Sequence, residues 1–182
     1  MFGVWDLRRG LLGAVPDEFL GGFAGTREGC ETLAKGIASE LERRLPGRDI
    51  TAEQLRSRSW WTGPEIYVLV DNFDGLEGSN NPLKPLLPYI NQAADVGLHV
   101  IIARRSAGMS RASYDPFMQA MREAGAAGVL LSGERQEGAI FPGVFLKRLP
   151  QGRAQWVNRS GRVEMVQIAQ PAESDLSLIH IS

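Results

Sequence analysis

The chain has one cysteine, Cys30, and two histidines, His99 and His180, among its 182 residues. A single thiol excludes a disulfide framework and a cysteine-built zinc site, and two imidazoles exclude a histidine-rich metal centre. Lysine is scarce as well, at Lys35, Lys84 and Lys147 only. Neither sign of charge dominates: 20 basic and 21 acidic residues leave a net charge of -1, so no bulk positive field attracts nucleic acid or an anionic membrane. The longest unbroken aliphatic or aromatic stretch is Ile66–Val70, far short of the ~20 residues that cross a bilayer. No charged-then-apolar leader follows Met1, so secretion is not expected. The remaining composition, 43% hydrophobic and 23% charged, suffices for a packed core and excludes a wholly disordered chain. The length fits one domain, or one with a small appendage.

Residues 1–15 read as an extended, partly apolar segment broken near Gly10 or Gly13. Residues 19–23 are a short apolar run. Thr26 then caps a helix running to about Leu45, with Leu33, Ile37, Leu41 and Leu45 as its buried stripe. Arg43, Arg44, Pro46 and Gly47 end it. Thr51-Ala-Glu-Gln54 is a capping box, which predicts a short helix to about Ser57. Ile66-Tyr-Val-Leu-Val70 is apolar on both faces, as in a strand covered on both sides. Asn81-Pro82 opens a helix whose apolar face is Leu86, Leu87, Ile90, Ala93 and Ala94, and Gly97 closes it. Residues 99–103 form a second buried strand, a helix follows over 114–123, and 128–131 form a third strand. Residues 154–157 and 163–168 make a hairpin around Arg159-Ser-Gly-Arg162. Strands alternating with helices predict a parallel sheet with right-handed crossovers, completed by the C-terminal β-hairpin.

One pattern carries chemistry. Tyr67-Val-Leu-Val-Asp71 has the form of a Walker B strand, four apolar residues and then an acid. A buried parallel strand delivers Asp71 at its carboxyl end, where open α/β sheets bind ligands. A carboxylate there holds Mg²⁺ through water, opposite nucleotide phosphates. The next residue is Asn72, whose amide orients water but accepts no proton near neutral pH. A strand-end Asp that only caps a loop has the same pattern, so the pentapeptide alone leaves both readings open. A phosphate-binding loop would decide between them, and no Gly-x-x-x-x-Gly-Lys-Ser/Thr occurs; none of the three lysines follows a glycine.

A longer series is more specific. Ser59-Trp-Trp-Thr-Gly-Pro-Glu-Ile-Tyr-Val-Leu-Val-Asp71, Asn81-Pro-Leu-Lys-Pro-Leu-Leu-Pro-Tyr89, Asp95-Val-Gly-Leu-His-Val-Ile-Ile102, Arg105-Ser-Ala-Gly-Met-Ser-Arg-Ala-Ser-Tyr-Asp-Pro-Phe117, Leu131-Ser-Gly-Glu-Arg-Gln-Glu-Gly138 and Leu149-Pro-Gln-Gly-Arg153 follow one another in order. Together they resemble the third, C-terminal ATPase domain of the EccC family, the FtsK/SpoIIIE-type motors of type VII (ESX) secretion. The resemblance spans nearly all of residues 1–170. It implies an α/β, RecA-like P-loop NTPase core represented by its C-terminal portion, with the Walker A loop lying before the region present here.

The resemblance also implies roles. Asp71 matches the Walker B acid. Asn72 stands at the catalytic-base position, where the family's third domain commonly has Asp and efficient hydrolases have Glu; that departure implies slow or absent turnover. The strand over 99–103 matches the one between the P-loop strand and the Walker B strand, so Arg104 and Arg105 fall where sensor or intersubunit phosphate contacts lie. Solvation, or pairing with carboxylates, is the plainer reading of both arginines. Implied cofactors are ATP and Mg²⁺ in the intact parent. Implied partners are the C-terminal signal of a secreted WXG-type protein, neighbouring ATPase domains and other secretion-machine subunits, with no nucleic acid and no membrane insertion by this segment. The implied location is the cytoplasmic face of the inner membrane.

A non-catalytic docking or regulatory module is the alternative, with Leu83, Leu86, Leu87 and Tyr89 as groove or core. DNA translocation is disfavoured by the absent basic surplus. Trp60-Trp61 reads as a partner face or, more simply, as a tether of the short helix to the sheet, His99 reads as a core residue, and Cys30 as an inert buried or helix-face thiol. Residues 171–182 read as a tail. Its last part, 176–182, matches a translated transposon sequencing adapter and is expected to be read-through.

Overall fold

The computed structural model describes residues 1–169, so the tail at 171–182, with its expected read-through, lies outside the described residues. The chain divides into two compact units, Met1–Arg104 and Arg105 onward.

The first unit is a four-stranded parallel sheet in the order β2-β1-β3-β4. Its strands are β1 (Phe2–Trp5), β2 (Leu20–Ala24), β3 (Ile66–Val70) and β4 (Leu98–Ile102). Trp5 pairs in register with Val70, and Val70 with Ile102, so these three strands end level with one another. Among the described residues β4 is paired on one edge only, with β3.

Helix α1 (Arg27–Arg43) returns across one face of the sheet. The Thr26 side chain caps it by accepting from the Gly29 N–H. The helix packs closely because Gly22 has no side chain; a Cβ there would stand 2.7 Å from Leu33 Cδ1. Its fully buried residues are Cys30, Ala34 and Leu41. Of the predicted stripe, Leu41 is fully buried, Leu33 and Ile37 are half-buried against Gly22 and Gly3 of the sheet, and Leu45 lies beyond the helix end. Cys30 lies against the sheet, and burial raises its thiol above the usual range.

The capping box forms as expected. Thr51 Oγ1 accepts from the Gln54 N–H, and the Gln54 side chain accepts from the Thr51 N–H, starting α2 (Ala52–Ser57). The single helix expected from Asn81 to Gly97 is instead three short pieces: a 3-10 turn at Lys84–Leu86, α3 (Leu87–Ile90) and α4 (Ala93–Val96). Pro85 and Pro88 lack the N–H that a continuous ladder needs. Gly97 does close the last piece, at φ +68°. Leu83 and Leu86 are fully buried and Tyr89 nearly so, which makes them core rather than groove.

The second unit begins with α5 (Met109–Ala112) and α6 (Pro116–Glu123). The Asp115 side chain caps α6 by accepting from the Phe117 and Met118 N–H groups, with Pro116 in the first turn. The strand predicted at 128–131 forms as β5 (Gly128–Leu130), but it leaves the parallel pattern. It pairs antiparallel with β8 (Arg153–Val157), which pairs antiparallel with β9 (Val163–Gln167). Alternation of helix and strand had suggested a parallel partner; the hairpin's open edge captures β5 instead. A two-stranded ribbon, β6 (Ala139–Phe141) with β7 (Val144–Phe145), lies between them in sequence. No helix among the described residues is long and apolar enough to cross a membrane.

Candidate functional site

The carboxyl edge of the parallel sheet gathers the chain's chemistry in the first unit. Asp71 follows β3 directly, and its N–H donates to the Trp5 carbonyl at 2.9 Å. Asn72 then turns the chain in the left-handed conformation, φ +51° and ψ +47°. Asparagine is one of the few residues that accept this conformation readily. The turn swings the amide back, and Asn72 Nδ2 donates to Asp71 Oδ2 at 2.5 Å. Asn72, expected at the base position, is therefore engaged with the acid that precedes it, and it contributes a donor there.

The loop that follows is anchored by Phe73 and Leu76, both fully buried, and by the Phe73 N–H bonding to the Ala103 carbonyl at 3.0 Å. Asp74 sits in a 3-10 turn, Phe73–Gly75. Arg104, just past β4, has a side chain only 8% exposed and bonds Glu77 Oε2 through Nη1 at 2.7 Å. Its guanidinium is thus paired with a carboxylate of the loop after Asp71. Arg105 is exposed and belongs to the second unit.

The sequence reading missed Asp6, which is fully buried at the end of β1. Because Trp5 is in register with Val70, Asp6 and Asp71 stand at neighbouring strand ends. Asp6 Oδ1 accepts from the Arg8 N–H at 2.9 Å and Oδ2 from the Leu11 N–H at 2.7 Å, so both oxygens are spent on the loop that β1 feeds. Its signature, Val4-Trp5-Asp6, is the same apolar-then-acid pattern that marked Asp71, in a shorter strand. Arg27 and Glu77 were also missed, because nothing local marks a side chain whose partner lies many residues away.

His99 is not a core histidine. It is half-exposed, stacks on Tyr67 with ring centroids 4.4 Å apart, and its Nε2 lies 3.0 Å from Glu65 Oε2. Trp60 and Trp61 do tether the segment after α2, but to the end of α1 and to α4 rather than to the sheet. Trp60 Nε1 donates to the Arg44 carbonyl and Trp61 Nε1 to the Asp95 carbonyl, each at 2.7 Å.

Asp71 offers one carboxylate for a cation, and among the described residues no cluster of three His, Cys, Asp or Glu side chains is fit to hold a metal. One protein carboxylate suits a Mg²⁺ whose other ligands are water and phosphate oxygens. The chemistry of Asp71 therefore fits such a cation, while the described residues include no glycine-lysine loop to cradle the phosphates.

No family model matches the chain. Over 164 residues, 90% of this chain, it is 41% identical to the ESX secretion system protein EccC of Thermomonospora curvata, and it covers 12% of that protein. It is 38% identical over 165 residues to the ESX-4 protein EccC4 of Mycobacterium tuberculosis, covering 13% of it. The chain thus spans about one eighth of the length of these curated relatives. Among solved structures, it superimposes on the cytoplasmic domain of the T. curvata type VII secretion ATPase EccC with a TM-score of 0.88 at 39% identity, covering 94% of this chain and 20% of that one. The same TM-score and identity hold for T. curvata EccC ATPases 2 and 3 in complex with a signal sequence peptide, of which the chain covers 31%. The cytoplasmic domain of EssC, at 16% identity and a TM-score of 0.63, shares the fold.

Proposed function

The chain belongs to the EccC family of ESX secretion system proteins, and from that premise we propose that it is part of the motor's third ATPase domain, which binds nucleotide with little or no turnover and serves substrate recognition. The observation that carries this reading is the Asp71–Asn72 pair. Asp71 keeps the acid that a Mg²⁺ complex requires, while Asn72 replaces the proton acceptor with an amide bonded to that acid. Such an edge suits holding ATP rather than cleaving it. When bound, Mg²⁺ would neutralise charge on the nucleotide phosphates, with Asp71 as its protein partner through water. The phosphate cradle would come from polypeptide outside these 182 residues, and the unpaired edge of β4 suits a further parallel strand beside it.

Recognition is the part of the reading suggested by the relative bound to a signal sequence peptide. We assign this domain a comparable partner: the C-terminal signal of a small secreted WXG-type protein, received at the cytoplasmic face of the membrane beside neighbouring ATPase domains and other secretion subunits. A purely non-catalytic docking module is the second reading. The residues around Asp71 favour it in one respect, since Arg104 is already paired with Glu77.

The test uses the parent polypeptide. Mg-ATP binding and turnover are measured with Asn72 and with Asn72→Glu. Binding without turnover in the first, and turnover gained in the second, supports the nucleotide-holding reading. Binding in neither leaves the docking module, and rapid hydrolysis by the natural Asn72 form would contradict the proposal.

A further inference from the structure

The loop after Asp71 is held by an arginine that no motif marks. Arg27 occupies the first position of α1. That end of a helix carries partial positive charge and favours an acid, as at Glu28 beside it. A guanidinium there has to find its partners elsewhere. Nη1 donates to the Asn80 carbonyl at 3.0 Å, and Nη2 to the Gly75 carbonyl at 2.7 Å. Both acceptors lie in the loop that runs from Asn72 to Asn81. Between them stands Gly78 at φ +107°, a backbone conformation that favours glycine. The planar fork therefore bridges the two arms of this loop, and a lysine ammonium lacks that two-pronged reach. The loop is fastened again at its base, by the Phe73 N–H on Ala103, and in its middle, by Glu77 on Arg104.

We infer that Arg27 is a positioning residue for Asp71. By closing residues 75–80 it keeps Asn72 in its left-handed turn with the amide on Asp71 Oδ2, and so fixes the direction in which Asp71 presents its carboxylate to a cation. This role rests on the nucleotide reading of Asp71. Removing a cation from the positive end of α1 does not weaken the helix, so the loss falls on the exposed loop that Arg27 holds.

The experiment compares the wild-type parent polypeptide with Arg27→Ala, Arg27→Lys and, as a control on the same helix, Arg43→Ala. Hydrogen exchange over residues 72–81 reports the clamp. The Mg²⁺ concentration that half-saturates ATP binding reports Asp71, and ATP binding in EDTA serves as the metal-free reference. In Arg27→Ala, loop exchange should rise and the Mg²⁺ requirement should increase by about tenfold, with binding in EDTA and the melting temperature unchanged. Arg27→Lys should fall between, and Arg43→Ala should match wild type. Unaltered loop exchange in Arg27→Ala overturns the inference, as does faster exchange with an unmoved Mg²⁺ requirement. If the wild-type parent binds no ATP, the nucleotide reading falls and the positioning role with it. If wild type binds and only the Arg27 variants fail to shift, the positioning role falls alone.

Discussion

At the amino end of the parallel sheet, Arg44 has a side chain only 4% exposed and every prong of its guanidinium in use. Nε bonds Glu40 at 3.1 Å, Nη1 the Val96 carbonyl at 3.2 Å and Nη2 the Pro64 carbonyl at 3.1 Å, and the plane lies 4.5 Å from the Trp61 ring centre. At the carboxyl end, Arg27 is exposed and rests on two loop carbonyls, Asn72 holds a left-handed turn, and Asp71 keeps an oxygen that its amide neighbour does not occupy. Both ends use arginine, carboxylate and carbonyl groups. The amino end spends them on burying a knot between α1, the segment before β3 and α4. The carboxyl end spends them on fixing a loop beside a partly exposed acid. Open α/β sheets place their ligands at the carboxyl edge, so the proposed function assigns the knot to stability and the loop to binding.

The contrast is breakable by substitution. Arg44→Ala should cost the most, about 3 kcal/mol, because it strands buried carbonyls and removes a partly buried ion pair. A urea melt with a shifted midpoint at constant slope would record it, and the same change should leave Mg-ATP affinity in the parent unaltered. Gly97→Ala should cost about 2 kcal/mol. Its φ of +68° resists a side chain, and a Cβ would stand 2.4 Å from Trp61, so a fluorescence shift should accompany the lost stability. At the other end, Asn72→Ala should cost about 1 kcal/mol from the left-handed turn, and Asn72→Gly should restore most of that in the same melt.

Tyr89 meets the last turn of α1, its hydroxyl donating to Glu42 Oε2 at 2.7 Å. Burial first, and the Glu42 carboxylate second, push it up to about 12. Stability from the protonated hydroxyl is therefore held below the ordinary tyrosine range near 10 and lost as pH rises through about 12. Denaturant midpoints across that window should fall for wild type and fall less for Tyr89→Phe. The smallest effect is expected from Arg43→Ala, whose partner Glu40 is held below its usual range chiefly by that arginine. An exposed pair of this kind contributes at most about 0.5 kcal/mol, and it should fade at high salt.

Much of this was legible because it is local. The strand at 66–70, the Thr26 cap, the Thr51 capping box and the glycine that ends α4 each depend on residues within a few positions of one another. The hairpin turn at 159–162 is equally local: the Asn158 side chain accepts from the Ser160 and Arg162 N–H groups. The breaks at Pro85 and Pro88 were visible too, but the apolar spacing around them outweighed two missing N–H groups. What stayed hidden was long-range. The partner of β5 lies more than twenty residues downstream, Glu77 is paired with an arginine 27 positions away, and Arg27 reaches 48 and 53 positions along the chain. The acid at 71 was readable as a candidate because a strand ends there. Whether its neighbour's amide turns toward it depends on a backbone angle that periodicity does not reveal.

The most direct test of the division between the two ends is calorimetric titration of Mg-ATP into the parent polypeptide, as wild type and as Asp71→Asn. The account predicts measurable binding by wild type and a loss of about tenfold or more in the variant, with both proteins melting at the same temperature. Equal affinity in the two proteins would contradict it, and the carboxyl edge would then have no more claim to the nucleotide than the knot at the opposite end.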